Sequence, residues 1–291
     1  MLVKFLLIVV LGFLTVGGSS PLVHNRERSS VQAFVESTRK GDVDKVRLGL
    51  AAGRDPNTLD ASDQKHATAL MVAAVADKRE VVGLLIQKGA RVNATNSEGM
   101  TALMLAAWEG LSDTVQELLK GGANIDATDK NGATALVFAL SQRHSATARI
   151  LINRGANVNL RAKGQVSPLM YAVLTRDPEI VADLLKHGAD VQAQNDRGTS
   201  ALMLAAQSGQ PKLIGILIAN SADVNLTNKN GQTALIAASE KGDLESVQLL
   251  IRHGAKLDLR DHHGFTALSK AQSASQTTVI QALIQAGAQP D

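Results

Sequence analysis

Residues 101–123 read TALMLAAWEGLSDTVQELLKGGA, and the same frame of small and aliphatic residues recurs along the chain. Its glycine at 122 and its leucine at 103 both repeat at intervals of 33 residues, although Ser221 replaces one glycine. A fixed period of roughly 20 to 50 residues is typical of a solenoid, in which each copy stacks on its neighbours. The sequence therefore predicts an elongated stack. The seven leucines that mark the period are Leu70, Leu103, Leu136, Leu169, Leu202, Leu235 and Leu268.

Each copy predicts two helices followed by a turn. In the quoted stretch Thr101 is positioned to cap a short helix, and Leu103, Ala106 and Ala107 form its narrow apolar face. A second helix follows, with the aliphatic residues of 115–119 as its apolar stripe. The Gly-Ala pair that ends it suits a left-handed helix terminus. The predicted fold is all-α, built from helix-turn-helix units joined by β-hairpin-like turns.

The repeated frame resembles the ankyrin repeat over residues 60–291. The features that match are the 33-residue period, the G-x-T-x-L opening, the alanine pair, the glycine before the second helix and the G-A-x-V-N ending. The resemblance implies an ankyrin-repeat solenoid. One departure is systematic, because the family's T-P-L-H signature appears here as T-A-L-M or its variants. We therefore expect apolar packing where histidine would form hydrogen bonds between repeats. The residues at the histidine position are Met71, Met104, Val137, Met170, Met203, Ile236 and Ser269.

The chain divides into four predicted segments. Residues 60–291 form seven repeats, and the last is read as a C-terminal cap because it is rich in Ser, Gln and Thr. Residues 29–59 have the outline of an N-terminal capping helix pair, which a solenoid needs to cover its end. Residues 19–28 are expected to be a flexible mature N-terminus, and residues 1–18 a signal peptide.

The signal-peptide prediction depends on three features of the first 20 residues. Lys4 precedes an apolar stretch from Phe5 to Val16, and small residues follow it. A spanning helix needs about 20 apolar residues, so an uncleaved membrane anchor is the less favoured alternative. The expected cut follows Gly18. With the absent cysteines and the Ala/Leu/Gln-rich repeats, this short signal favours an exported bacterial protein in the periplasm.

Composition and motifs argue against several functional classes. Lys plus Arg is 30 against 27 Asp plus Glu, and aromatics make up 2% of residues, so a nucleic-acid binder is not expected. The sequence has no nucleophile elbow, zinc-protease motif or phosphate loop. We therefore expect no catalytic residue, cofactor, metal site or small-molecule substrate. His262 and His263 could hold a metal only with a third ligand, and are interpreted as an exposed polar turn.

The resemblance implies that a partner protein binds at the turn tips and at the exposed side of the first helix of each copy. Copies one to four present several apolar or aromatic residues at these positions, whereas copies five and six carry Thr199, Gln207, Gln232 and Glu240. The apolar set is Ala67, Val75, Met100, Trp108, Ala133, Val166 and Leu174. An apolar centre with a polar border is typical of a binding hot spot. The predicted partner-binding residues are Val75, Glu98, Met100, Trp108, Glu109, Val166, Tyr171 and Leu174.

Two interpretations of Trp108, the single tryptophan, remain open at this point. It either contacts the partner or folds down to seal the packing between repeats. The protein itself is expected to be a monomeric, non-catalytic scaffold for another protein. The alternatives are a secreted effector that binds host proteins and a membrane-anchored ankyrin adaptor.

Overall fold

The computed structural model describes the backbone of residues 21–289 and the side chains of residues 29–289. The predicted signal segment at residues 1–18 lies outside the described residues. Between Pro21 and Gln285 the chain forms 16 helices. The first two are α1 (Pro21–Lys40) and α2 (Val43–Ala51). Each of the seven copies then adds a pair of helices.

The pairs follow one another in a regular order. They are α3 (Ala69–Val75) and α4 (Arg79–Gln87), α5 (Ala102–Trp108) and α6 (Ser112–Lys120), α7 (Ala135–Ser141) and α8 (Ser145–Asn153), α9 (Pro168–Thr175) and α10 (Pro178–Lys186), α11 (Ala201–Gln207) and α12 (Pro211–Ala219), α13 (Ala234–Lys241) and α14 (Leu244–Arg252), and α15 (Ala267–Ser273) and α16 (Thr277–Gln285). First helices pack on first helices, and second helices on second helices. The result is a two-layered, all-α solenoid, as the sequence predicts.

The leucine row lies at the centre of the stack. All seven leucines of the 33-residue period are buried between the two helical layers. Beside them the alanine pairs, such as Ala106 and Ala107, are fully buried and allow neighbouring helices to approach closely. Thin layers of Leu and Ala therefore provide the core, which explains how the chain folds with so few aromatic residues.

Every first helix begins at a hydroxyl cap. The hydroxyl of Thr101 accepts a hydrogen bond from the amide of Met104, and the equivalent Thr or Ser caps the helix in each other copy. The methionines that stand in the family's histidine position are buried, as expected. The sulfurs of Met71 and Met104 also accept hydrogen bonds from the backbone amides of Thr68 and Thr101 at 3.4 Å, a contact that the sequence did not predict.

The turn after each second helix is left-handed. Its glycine has a positive φ, for example +84° at Gly188, a conformation that glycine adopts at little cost. Ser221 has a φ of +68° at the equivalent position, so a serine is held where a side chain costs about 1 to 2 kcal/mol.

Replacing Ser221 by glycine is expected to raise the free energy of unfolding by about 0.5 to 1 kcal/mol, because relief of the left-handed strain exceeds the added flexibility of the unfolded chain. The measurement is the midpoint of urea unfolding. The matched control is Gly188→Ser, which has nothing within 4 Å of its new Cβ and should lower the midpoint by a similar amount. If both substitutions moved the midpoint in the same direction, backbone strain would not be the cause.

The tips of the β-hairpin-like turns are joined to one another. The amide of Lys130 donates to the carbonyl of Glu98 at 3.2 Å, and that of Lys163 to the carbonyl of Asn131 at 2.7 Å. Four further bonds of this kind link the remaining tips, from Ser97 to Lys65, Asp196 to Gly164, Lys229 to Arg197, and His262 to Asn230. We call this series the tip ladder. It fixes the spacing of the tips along the solenoid.

The first helix begins within residues 19–28, the segment predicted to be a flexible mature N-terminus. Helix α1 starts at Pro21, so the backbone of residues 21–28 is helical. Proline favours the first turn of a helix because its φ is already helical and its missing N–H is not needed there. No further proline or glycine interrupts residues 22–40. None of the helices in the described part of the chain is both long and apolar enough to cross a membrane.

Candidate partner-binding surface

Three apolar side chains are exposed at the ends of first helices. Val75, Trp108 and Leu174 occupy the same position in copies one, two and four, and they are 45%, 41% and 48% exposed. A helix turns by about 100° per residue, so Trp108 lies about 140° around the helix from the buried Leu103. The helical geometry that points the leucine row into the core therefore points the row of Val75, Trp108 and Leu174 toward solvent. Its other members are all polar: Ser141, Gln207, Glu240 and Ser273.

The side chain of Trp108 packs against the next repeat and also remains accessible to solvent. Its ring centroid lies 5.4 Å from that of Phe138, with the planes tilted by 60°. Phe138 belongs to the next first helix, α7, and is buried. Such tilted aromatic pairs contribute about 0.5 to 1.5 kcal/mol beyond area burial. The indole thus bridges two repeats through one part of its surface and leaves 41% of it to solvent.

The predicted residues at the turn tips differ in accessibility. Met100 and Val166 are half-buried, and Glu98 is exposed and forms an ion pair with Lys65 at 2.8 Å. Glu109 is exposed at the C-terminal cap of α5. Ala133, one of the apolar tip residues predicted in copies one to four, is buried. The exposed apolar surface is therefore interrupted at copy three.

Tyr171 lies on α9, one helical turn before Leu174. Its side chain is half-buried. Burial raises the pKa of the Tyr171 phenol, and the negative charge of Asp129 raises it further. The neutral phenol is therefore favoured, and its hydroxyl can donate a hydrogen bond beside the exposed Leu174.

An exposed aromatic ring in the last copy is not among the predicted partner-binding residues. Phe265 is 37% exposed, and the Nζ of Lys270 lies 4.6 Å from its ring centroid. Lys270 occupies the position at which other first helices have Leu105, Phe138 or Tyr171. The lysine at position 270 could have indicated this contact from the sequence, because a lysine in an otherwise apolar or aromatic row must find a partner for its charge.

The family model for ankyrin repeats, in its three-copy form, matches residues 34–129, 109–195 and 202–291. The chain belongs to the ankyrin-repeat family. It is similar to the crystal structure of the ankyrin repeat domain of Bcl-3, a member of the IkappaB protein family, with a TM-score of 0.66 and 29% sequence identity over 75% of this chain and 96% of that chain. Among curated proteins, none matches the chain. Ankyrin repeats indicate a scaffold for protein–protein interaction.

The titratable groups of this ankyrin-repeat chain are dispersed over its surface. Within the described residues no group of three His, Asp or Glu side chains is arranged to hold a metal ion, and His262 and His263 are both exposed in their turn. The ion pair of Arg149 with Asp183 at 2.9 Å joins two second helices, α8 and α10. This ion pair therefore joins the second helices of two neighbouring repeats.

Proposed function

We propose that this ankyrin-repeat protein is a non-catalytic scaffold that binds a partner protein along the surface formed by the first-helix ends and the turn tips. The observation that carries the proposal is the exposed apolar row of Val75, Trp108 and Leu174 on a regular helical frame. An exposed tryptophan among smaller apolar and polar side chains is typical of an interface hot spot.

The frame supports binding because it is already ordered. The tip ladder joins consecutive turns by backbone hydrogen bonds, and the first helices pack on one another. A partner therefore meets side chains whose backbone positions are fixed, and little conformational entropy is lost when it binds.

The distribution of residues places the apolar centre in copies one to four. Met100, Tyr171 and Val166 add half-buried apolar area beside the exposed row, and Glu98 and Glu109 supply its polar border. Copies five and six present Gln207 and Glu240 at the positions of Trp108 and Leu174. We infer that the partner makes its apolar contacts with the N-terminal half of the solenoid.

The proposed site of action is the bacterial periplasm, with the protein acting as a monomer after export. The support is the sequence of residues 1–18, with its early lysine and its apolar stretch. The chain contains no cysteine, so the repeats need no disulfide to fold in an oxidising compartment.

The experiment combines cell fractionation with crosslinking. The tagged protein is crosslinked in intact cells and recovered from the periplasmic fraction, and its N-terminus is sequenced. We expect a mature chain that begins at Ser19 and one reproducible crosslinked partner. Recovery only from the cytoplasm with an intact N-terminus would contradict the proposed export, and recovery from the culture medium would favour a secreted effector.

A further inference from the structure

The turn tips of copies three to six form a row of exposed cations. They are Lys130, Lys163, Arg197 and Lys229, each at the second or third residue of its turn. We call these four residues the basic tip row. The chain as a whole has a net charge of only +3, so this row is a local concentration of positive charge that the net charge does not reveal.

These four side chains lack internal partners. None of them forms an ion pair with any other residue in the part of the chain that the structure describes. By contrast, Lys65 at the first tip is paired with Glu98 at 2.8 Å. Two carboxylates lie within the row: Asp196 is exposed, and Asp129 is partly buried and accepts the amides of its own turn. Four cations against two carboxylates leave the row with an excess of positive charge.

The tip ladder gives the row a regular spacing. The amides of Lys130, Lys163 and Lys229 donate to the preceding tip, and the carbonyl of Arg197 accepts from Lys229. Packed helices lie about 8 to 10 Å apart, so four consecutive tips span about 30 Å. An extended polypeptide in the polyproline II conformation has three residues per turn and rises about 3.1 Å per residue, so every third side chain lies on the same face and would meet the next tip.

We propose that the basic tip row binds an extended acidic segment of a protein, with carboxylates at about every third residue. The inference rests on the proposed function and adds the chemistry of the partner. Half-buried Val166 and exposed Leu174 both lie in copy four, as Lys163 does, which suits a polypeptide with mixed acidic and apolar side chains. Nucleic acid is less well matched, because single strands bind by stacking on aromatic rings. The tips of copies three to six carry no aromatic residue, and the ring of Phe265 at the tip of copy seven already has Lys270 over it.

The test measures binding of two fluorescent peptides of about 12 residues by anisotropy at low salt. One has glutamate at every third position, and the other has glutamine at the same positions. The tip-row variant combines Lys163→Glu, Arg197→Glu and Lys229→Glu. Its matched control combines Lys88→Glu, Lys186→Glu and Lys256→Glu, which reverse three exposed lysines outside the tips and change the net charge equally. Circular dichroism confirms that each variant is folded.

We expect the full-length protein to bind the glutamate peptide at least about tenfold more tightly than the glutamine peptide, with the preference lost at high salt. The tip-row variant should lose at least about tenfold in affinity and the control less than about threefold. An equal loss in both variants, or tighter binding of a short DNA duplex than of the peptide, would overturn the inference. If the peptides failed to bind while crosslinking still captured a partner, the acidic-segment inference would fail and the scaffold would stand.

Discussion

Replacing Gly198 by alanine is expected to lower the free energy of unfolding by about 2 to 4 kcal/mol. The residue has a φ of +72°, which any side chain makes costly. An added Cβ would also lie 2.8 Å from the backbone nitrogen of Lys229 and 3.1 Å from the Cα of Asn228. These are backbone atoms held by the tip ladder, so they cannot move aside as a flexible side chain would.

The matched control for this prediction is Gly264→Ala in the last copy. Gly264 has the equivalent turn position and a φ of +83°, but nothing lies within 4 Å of an added Cβ. It should therefore cost only the left-handed strain, about 1 to 2 kcal/mol. The measurement is the midpoint of urea unfolding for both variants, and Gly198→Ala should lower it more than Gly264→Ala does. Equal losses would show that the contact between neighbouring tips carries no stability.

Replacing Trp108 by alanine is expected to weaken partner binding by at least about 30-fold, which corresponds to about 2 kcal/mol. The reason is its exposed apolar surface at the centre of the N-terminal half. The loss of stability should be smaller, about 1 to 2 kcal/mol, because the substitution removes one tilted ring contact with Phe138 and a partly buried side chain. The measurements are an affinity titration with the crosslinked partner and urea unfolding.

Gln207→Ala is the matched control for Trp108, because it has the same position in copy five and is exposed. It should change neither partner affinity nor the unfolding midpoint appreciably. A Trp108 variant with full affinity and several kcal/mol less stability, as large core deletions produce, would show that the indole acts only in packing.

The repeating part of the fold was predictable because its causes lie within one copy. The hydroxyl cap at Thr101, the buried leucine at Leu103 and the glycine turn at Gly122 are each set by residues a few positions apart. Repetition then fixes the stacking, since every copy must cover the apolar face of the next. The exposure of Trp108 follows from the same helical geometry.

Other features depend on how neighbouring copies are offset, which the period does not specify. The contact between Trp108 and Phe138 joins residues at different positions of consecutive copies. The burial of Ala133 and the amide bonds of the tip ladder depend on the same offset. The early start of α1 was missed for another reason, since the comparison of copies says nothing about residues that precede the first one.

The most direct test of the account is site-specific photo-crosslinking, with a photoreactive residue placed in turn at Glu109 on the proposed surface and at Ala182 on the exposed side of the second helix α10. If the partner binds along the first-helix ends, the probe at position 109 should give a strong crosslink that Trp108→Ala abolishes, and the probe at 182 should give none. A crosslink at position 182 with none at 109 would contradict the central claim.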